Sequence, residues 1–172
     1  EMGGTITFES KKGVGTTFVI RVPFKIDLDA DKREESKDVS EKSIKGMHVL
    51  LAEDNELNME IAEFLLQNEG AEVTKAWNGQ EIVELFRKSE AGEFDVILMD
   101  IMMPIINGYE AAKRIRSLDR EDAKKIPIIA MTANAFTEDR IRAKEAGMDE
   151  HVAKPIDVEL LIKVIHKLVK HN

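Results

Sequence analysis

The sequence predicts an α/β protein with a parallel β-sheet, and three observations support this fold class. Between residues 46 and 172, short apolar runs alternate with longer segments in which apolar residues recur every three or four positions, the periods of buried strands and amphipathic helices. The run at residues 94–100 is short and mostly apolar, as in strands covered on both faces. Because a helical crossover separates each run from the next, neighbouring strands are expected to be parallel.

The first three strand–helix units follow one another directly. Their predicted strands span residues 47–52, 71–76 and 94–100. The apolar residues at helical spacing are Leu57, Ile61, Phe64 and Leu65 in the first helix, Ile82, Val83, Leu85 and Phe86 in the second, and Tyr109, Ala112 and Ile115 in the third. Gly70 is expected to end the first helix, because glycine readily adopts the left-handed conformation found after helix C-termini.

Two further units complete the pattern, with predicted strands at residues 126–131 and 151–153. The fourth helix is shorter and is expected to end at Gly147. Asp157 is expected to cap the fifth helix. The apolar residues of these two helices are Phe136, Ile141 and Ala146 in the fourth, and Leu160, Leu161, Val164, Ile165 and Leu168 in the fifth.

Chemically active side chains follow four of the five strands. Asp100 ends the third strand, Glu53 and Asp54 follow the first, Thr132 follows the fourth and Lys154 follows the fifth. Ligands bind at the carboxyl edge of open α/β sheets, so this combination predicts a phosphoryl-transfer site. Each residue alone has an ordinary alternative, since a strand-end acid often caps the next helix and a strand-end lysine or threonine often lies on the surface.

These five positions and their order resemble the receiver domains of response regulators. The resemblance covers residues 46–172, and Ala52-Glu53-Asp54-Asn55 together with Asn58 is similar to the subgroup fused to hybrid sensor histidine kinases. It implies a flavodoxin-like (βα)5 doubly wound sheet with strand order 2-1-3-4-5. It also implies a phosphoacceptor domain of a two-component phosphorelay, which takes a phosphoryl group from phosphohistidine and changes conformation to signal.

The resemblance assigns a role to each site residue. Asp100 is the phosphoacceptor, and Mg²⁺ is the implied cofactor, which takes oxygen ligands. The implied metal-binding groups are Asp54, Asp100, Glu53 through water, and the backbone carbonyl of Met102. Lys154 and Thr132 would contact the phosphoryl oxygens.

Signalling and partner contacts are implied in the same way. Thr132 would move towards the phosphate while the residue at position 151 turns inward. In this chain the residue is His151, where the family has an aromatic side chain. The alternative to an inward-turning switch residue is that His151 lies on the edge strand with its side chain exposed to solvent. Asn55 and Asn58 are the expected contacts for the partners, namely the phosphohistidine donor domain of the parent kinase and a histidine-containing phosphotransfer protein.

Three other functions are alternatives to the active receiver. A haloacid-dehalogenase-type phosphatase would need an acid where Met102 stands, and a flavodoxin-like cofactor carrier would need a hydroxyl-rich phosphate loop where Glu53 and Asp54 stand. The remaining alternative is a receiver that no longer exchanges phosphate and serves as a docking module. The presence of Asp100, Thr132 and Lys154 favours the active form.

Composition narrows the function classes further. The formal net charge is −8, with about −8 on residues 46–172, −1 on 25–45 and +1 on 1–24. Such an acidic domain is not expected to bind nucleic acid. The chain has no cysteine, which excludes disulfides and thiolate metal sites. No apolar run reaches the roughly 20 residues of a membrane span, so no membrane contact is expected. The resemblance implies a cytoplasmic location and a parent protein anchored in a membrane upstream.

Residues 1–24 predict a separate β-hairpin. Alternating residues flank a glycine-containing turn at 11–15. One face is apolar and carries Ile6, Phe8, Phe18, Ile20 and Val22. The segment resembles the end of a histidine-kinase ATPase domain, including its last glycine motif. The other ATP-binding motifs are absent, so this chain is not expected to bind ATP. Its exposed apolar face suggests self-association or pairing with the receiver surface.

Residues 25–45 predict a charged linker, with thirteen charged residues and no aromatic one, a composition that does not support a packed core. A short helix at residues 30–37 is an alternative. Because the chain begins with Glu1, we expect a piece of a hybrid kinase. It would not be an enzyme beyond catalysing its own phosphorylation and dephosphorylation.

The sequence also predicts unusual backbone geometry at two positions. The bond between Lys154 and Pro155 resembles the cis peptide of receiver domains, and only bonds to proline tolerate that form at low cost. Gly108 lies in a tight loop and is expected to need a positive φ.

Overall fold

The computed structural model describes residues 3–23, 43–133 and 137–169. The chain divides into two compact units, Glu1–Lys37 and Asp38–Asn172, which are described separately below. The predicted linker lies outside the described residues up to residue 42, as do the alternative helix at 30–37 and Phe136, which was predicted to lie on the fourth helix.

The first unit contains the predicted hairpin. Strand β1 (Thr5–Lys11) pairs antiparallel with β2 (Gly15–Arg21). Ile6 lies opposite Ile20 and Phe8 lies opposite Phe18, with the two phenyl rings 5.9 Å apart. These apolar side chains share one face, as predicted, and that face is exposed. The turn uses Gly13 at φ +82°, a conformation that favours glycine.

The second unit alternates strands and helices. Its strands are β3 (His48–Ala52), β4 (Glu72–Ala76), β5 (Val96–Asp100), β6 (Ile128–Thr132) and β7 (Glu150–Ala153). Its helices are α1 (Glu56–Asn68), α2 (Gly79–Lys88), α3 (Gly108–Arg116), α4 (Glu121–Lys125), α5 (Thr137–Glu145) and α6 (Val158–Val169). None of the described helices is long and apolar enough to cross a membrane.

The five strands form one parallel sheet in the order β4-β3-β5-β6-β7. This order confirms the predicted flavodoxin-like fold, in which the chain starts near one side of the sheet, winds outwards and then crosses back. The topological switch point lies between β3 and β5. The acids that follow β3 and the acid that ends β5 are therefore neighbours.

The central strands of the sheet are covered on both faces, as the apolar run at residues 94–100 predicted. Alternate residues of the central strands point to opposite faces. On one face Leu50, Ile97, Met99 and Ile128 pack with α2, α3 and α4 residues, and on the other Val49, Leu51, Val96 and Leu98 pack with α1 and α6 residues. All eight are fully buried, so β3 and β5 form the centre of the core.

Helix α1 buries a different face from the one its apolar repeat indicated. Met59, Ala62 and Leu66 are buried, whereas Leu57 and Phe64 are 64% and 66% exposed and Ile61 is also exposed. Gly70 follows the helix at φ +86°, as predicted. The helix therefore carries apolar residues on both sides, one packed against the sheet and one facing solvent.

At the start of the domain and in its later helices, some predictions agree with the structure and others do not. Ile44, which the predicted linker includes, is fully buried in the core. Gly147 follows α5 at φ +86°. Asp157 caps α6, because its Oδ1 accepts the N–H of Leu160 at 3.1 Å. Leu160 and Ile141, expected to face inwards, are exposed.

The short helix α4 was not predicted, and Arg120 just before it holds several segments together. The Arg120 guanidinium donates to the backbone carbonyls of Phe86, Ser89 and Glu90 at 2.6, 3.1 and 2.9 Å. It binds both carboxylate oxygens of Asp122 at 2.7 and 2.6 Å and lies 4.6 Å from the centre of the Phe86 ring. The hydrogen bond from Arg120 lowers the pKa of Asp122 to about 2.

Arg116 likewise joins segments that lie far apart in the chain. It donates to the carbonyls of Gly147 and Ala123 and to Asp149 Oδ2, each at 2.8 Å. Asp149 Oδ2 also accepts the N–H of Ile128 at 2.8 Å. Burial lowers the pKa of Arg116 although Asp149 opposes that shift. We call Arg116, Arg120, Asp122 and Asp149 the arginine cluster.

Candidate functional site

Four strand ends bring the predicted residues to one edge of the sheet. The backbone register places Asp100 opposite Met131 and Thr132 opposite Ala153, so the ends of β5, β6 and β7 are level. The N–H of Glu53 donates to the carbonyl of Ala76 at 3.1 Å, which fixes the loop after β3. Parallel pairing therefore brings these strand ends and the loops that follow them to one edge of the sheet.

Three carboxylates meet at this edge. One oxygen each from Glu53, Asp54 and Asp100 lies within 4.8 Å of the others. Glu53 and Asp100 are only 2% and 5% exposed, whereas Asp54 is exposed. Asp54 has no hydrogen bond or ion pair with the described residues, and one of its oxygens lies beside those of two buried acids. With Lys154, these three acids form what we call the acidic edge.

Among the described residues, Lys154 is the cation that contacts two of these acids, Glu53 and Asp100. Its Nζ binds Asp100 Oδ2 at 2.7 Å and also binds Glu53 Oε2. Burial acts to lower the pKa of Lys154, but its hydrogen bonds to Asp100 and Glu53 outweigh burial and raise that pKa. The lysine is therefore held in its charged form. One ammonium group faces three carboxylates, so the acidic edge keeps an excess of negative charge.

The loop after β5 is shaped around Asp100. The N–H of Met102 donates to Asp100 Oδ1 at 3.1 Å, and the Met102 side chain is 78% exposed. Gly108 does not adopt the predicted positive φ. Its requirement is space, because an added Cβ would lie 2.2 Å from the Asp100 carbonyl oxygen. The left-handed residue of this loop is Ile105, at φ +71°.

The two predicted switch residues lie on the neighbouring strands. Thr132 ends β6 and is buried. Its carbonyl accepts the N–H of Lys154 at 2.8 Å, and the following bond between Lys154 and Pro155 is cis, as predicted. His151 lies on the edge strand β7 with a half-buried side chain, and its Nδ1 is 3.2 Å from Glu150 Oε1. The side chain thus lies between the two predicted alternatives.

Both asparagines proposed for partner contact have partners within the chain. Asn55 is the N-cap of α1, and its Oδ1 accepts the N–H of Asn58 at 3.1 Å. The Asn58 side chain donates from Nδ2 to Glu53 Oε1 at 3.1 Å. Asparagine is a preferred N-cap residue, so the sequence signal for a cap at Asn55 was available.

Sequence reasoning missed the outward apolar face of α1, made of Leu57, Ile61 and Phe64. The available signal was that α1 holds more apolar residues than one helix face can bury. Pro155 and Ile156 lie close to this face, because they line a small cavity of about 70 Å³ together with Glu53, Asn58, Ile61 and Lys154. The outward face therefore approaches the acidic edge.

The donor set suits a hard divalent cation. Carboxylate oxygens are the ligands that Mg²⁺ prefers in proteins, and one or two carboxylates usually suffice. The three carboxylates also carry more negative charge than Lys154 can neutralise, and a bound cation would supply the missing positive charge. The side chains present at the acidic edge therefore fit a magnesium site.

Comparison with known proteins gives a consistent result. The model of the response regulator receiver domain family matches residues 49–166. Histidine kinase 1 of Arabidopsis thaliana is 34% identical over 161 residues, covering 76% of this chain and 13% of that protein. The aerobic respiration control sensor protein ArcB of Escherichia coli K12 is 33% identical over 167 residues, covering 96% of this chain and 20% of ArcB. This chain thus spans a fifth or less of these relatives.

Solved structures of receiver domains are also similar. The receiver domain of the sensor histidine kinase PA1611 from Pseudomonas aeruginosa PAO1 has a magnesium ion in its active-site cleft. It is 34% identical with a TM-score of 0.65, covering 73% of this chain and 98% of that one. The Ssk1 receiver domain of Saccharomyces cerevisiae, solved with the histidine phosphotransfer protein Ypd1, is 28% identical with a TM-score of 0.63, covering 73% and 90%. With the family match over more than half of its length, this chain belongs to the response regulator receiver domain family.

Proposed function

We propose that the acidic edge accepts a phosphoryl group on Asp100 from a phosphohistidine donor, as a step of a two-component phosphorelay. The observation that carries this proposal is the arrangement around Asp100. Its carboxylate lies at the switch point of the sheet beside Glu53 and Asp54, and Lys154 binds one of its oxygens at 2.7 Å. A phosphoacceptor needs a nucleophilic oxygen and nearby positive charge for the phosphoryl oxygens.

In the reaction, an oxygen of Asp100 forms a bond to phosphorus while the bond between phosphorus and the imidazole nitrogen breaks. The imidazole leaves with the bonding electron pair. Oδ1 is oriented by the Met102 N–H and Oδ2 by Lys154, so the carboxylate is held in place before the donor arrives. Lys154 then contacts the phosphoryl oxygens as a fixed positive charge.

Mg²⁺ is the proposed cofactor, and it would neutralise charge on the transferring oxygens. Asp54 and Asp100 would bind it directly, Glu53 through water, and the Met102 carbonyl would complete the protein ligands. The exposure of Asp54 and the spacing of the three carboxylates support this assignment. The magnesium ion in the similar PA1611 receiver supports it further.

The signal would be a shift between two conformations. A phosphoryl group at Asp100 gives Thr132 a new hydrogen-bond acceptor, and only such differential contacts move an equilibrium. Thr132 and Lys154 are already joined through the backbone at 2.8 Å. A movement of Thr132 would therefore reach β7 and His151.

The test is phosphoryl uptake. The chain is incubated with acetyl phosphate and Mg²⁺, and its intact mass is measured. We expect one added phosphoryl group in the wild type and none in Asp100→Ala or without Mg²⁺. No uptake by a folded wild type that binds Mg²⁺ would contradict the proposal and favour the docking module.

For the partner, we propose that a histidine-containing phosphotransfer protein docks on the outward face of α1. Leu57, Ile61 and Phe64 are exposed there, and exposed apolar clusters on monomers often mark protein interfaces. The similar Ssk1 receiver was solved with such a partner, Ypd1. Asn55 and Asn58 would be at the rim of the contact.

Docking can be separated from chemistry by comparing two phosphoryl donors. With phosphorylated Ypd1 as the protein donor, Phe64→Glu is expected to slow transfer about tenfold, a typical effect of a charge at a hot spot. Uptake from acetyl phosphate should stay unchanged. Leu160→Glu, at an exposed leucine of α6, is the matched control and should behave as the wild type. Equal transfer from Ypd1 to both variants would contradict docking on α1.

For the remaining segments, we propose that residues 1–24 are the last hairpin of a histidine-kinase ATPase domain and that residues 25–45 form a linker. Residues 46–172 would then be the receiver domain of a hybrid kinase, on the cytoplasmic side. The ArcB match covers 96% of this chain and so extends beyond the receiver. The exposed apolar face of the hairpin would be covered by the rest of that ATPase domain, or by self-association in the isolated chain. Removal of residues 1–24 with no change in oligomeric state would contradict self-association.

A further inference from the structure

Glu53 is a buried carboxylate whose two oxygens are both held. Oε2 binds Lys154, and Oε1 accepts the side-chain amide of Asn58 at 3.1 Å. The N–H of Asn55 is also near Oε1, at 3.4 Å. A carboxylate that is only 2% exposed needs such partners, because an unpaired buried charge is very unfavourable. The orientation of Glu53 is thus set by Lys154 at Oε2 and, at Oε1, by the side chain of Asn58 and the backbone of Asn55.

Asn58 is itself held in place by the start of α1. Its backbone N–H donates to the cap residue Asn55 at 3.1 Å, which fixes the first turn of the helix. Side chains on a helix lean towards its N-terminus, so Asn58 reaches back to Glu53 at the sheet edge. The cap and the amide together connect α1 to the acidic edge.

Space is available for Glu53 to move if Asn58 is removed. Glu53 and Asn58 line the cavity of about 70 Å³ that Lys154 and Ile61 also border. A cavity of this size has room for a water molecule. Without the amide, water can bind Oε1 and the carboxylate gains other orientations.

We infer that Asn58 is a positioning residue, whose amide orients Glu53 towards the metal ion and so strengthens Mg²⁺ binding at the acidic edge. This rests on the proposed function. Residues that orient metal-binding groups typically change metal affinity by about 10- to 100-fold when removed. Because Glu53 would act through water, we expect an effect near the lower end of that range.

The test is calorimetric titration of Mg²⁺ into the full chain for four proteins. Asn58→Ala should weaken binding about tenfold, and Asn58→Gln, which keeps the amide, should recover part of it. Gln67→Ala is the matched control, because Gln67 donates to Glu63 at 3.4 Å on the same helix, away from the sheet edge. It should bind Mg²⁺ as the wild type does.

The outcomes separate this inference from the proposed function. If the wild type binds Mg²⁺ and Asn58→Ala binds it equally well, the inference is wrong while the magnesium site stands. If the wild type binds no Mg²⁺, both fail. If Asn58→Gln is as weak as Asn58→Ala, the amide is not the group that matters, which also overturns the inference. Alanine is favourable in helices, so Asn58→Ala is expected to fold, and circular dichroism without metal checks this.

Discussion

The acidic edge and the arginine cluster are both groups of partly buried charges, but they are composed in opposite ways. In the arginine cluster, Arg120 binds both oxygens of Asp122 and three backbone carbonyls, so every charge has a fixed partner. In the acidic edge, three carboxylates meet one ammonium group, that of Lys154. The charges of the arginine cluster therefore balance, whereas the acidic edge has an excess of negative charge.

The charges of the arginine cluster hold the fold together, whereas those of the acidic edge suit a ligand. A complete cluster gains nothing from an added ion, and loss of any member leaves buried polar groups unpaired. An incomplete cluster is held together against mutual repulsion, and its stability improves when a cation binds or an acid is neutralised. Neutralising one acid in each cluster should therefore change stability in opposite directions.

The largest effect on stability is expected for Arg120→Lys. Lysine keeps the charge but cannot supply the planar fork that binds Asp122 and the carbonyls of Phe86 and Ser89. We expect a loss of about 2–3 kcal/mol in the free energy of unfolding, because several partly buried acceptors lose their donor. Urea denaturation measures it. A change within the error of the wild type would show that the cluster does not hold α2 and α4 together.

A smaller loss is expected for Asp122→Asn, and it should depend on pH. The pKa of Asp122 falls from 3.8 to about 2 on folding, so its stabilisation is full above pH 3.8 and disappears as the pH falls through 2. We expect the variant to be less stable by about 1–2 kcal/mol at neutral pH, allowing for solvent screening.

The measurement for Asp122→Asn is urea denaturation at neutral pH and again near pH 2.5. The difference between wild type and variant should shrink at the lower pH. A difference that stays constant over this range would mean that the loss comes from packing and not from the ion pair with Arg120.

The smallest effect, of opposite sign, is expected for Asp54→Asn. Asp54 has no partner among the described residues and lies close to Glu53 and Asp100, so the amide removes repulsion without removing a contact. We expect a gain of about 0.5–1 kcal/mol in metal-free buffer, as for weakly screened like charges near a surface. A destabilised variant would indicate that Asp54 has a structural partner. Urea denaturation with a chelator present measures it.

The parallel sheet and the position of the acidic edge could be predicted from the sequence, because strand ends in a parallel sheet meet on one side. The order of the strands came only from the resemblance to receiver domains. The face of α1 could not, since Leu57 and Phe64 have the same helical spacing as a core face and only packing decides which face is buried. The reason predicted for a glycine at position 108 was also wrong. The sequence marks a position that needs glycine, but only the structure distinguishes lack of space from a positive φ.

The charge networks were the least predictable part. Arg120 contacts Phe86 and Ser89, more than 30 positions earlier in the chain, and no local pattern indicates such a pairing. Asn58 could be recognised as part of a motif, but its contact with Glu53 depends on how α1 leaves the sheet. Local signals therefore predict elements, whereas contacts between elements require the fold.

The most direct test is thermal unfolding of the wild type, Asp54→Asn and Asp122→Asn with and without Mg²⁺. At tenfold excess over its Kd, a bound ion should stabilise the wild type by about 1.4 kcal/mol. Asp122→Asn should gain the same increment from its lower starting point, while Asp54→Asn should gain little. An equal increment in Asp54→Asn, or none in the wild type, would contradict the view that the acidic edge is an incomplete charge cluster completed by a divalent cation.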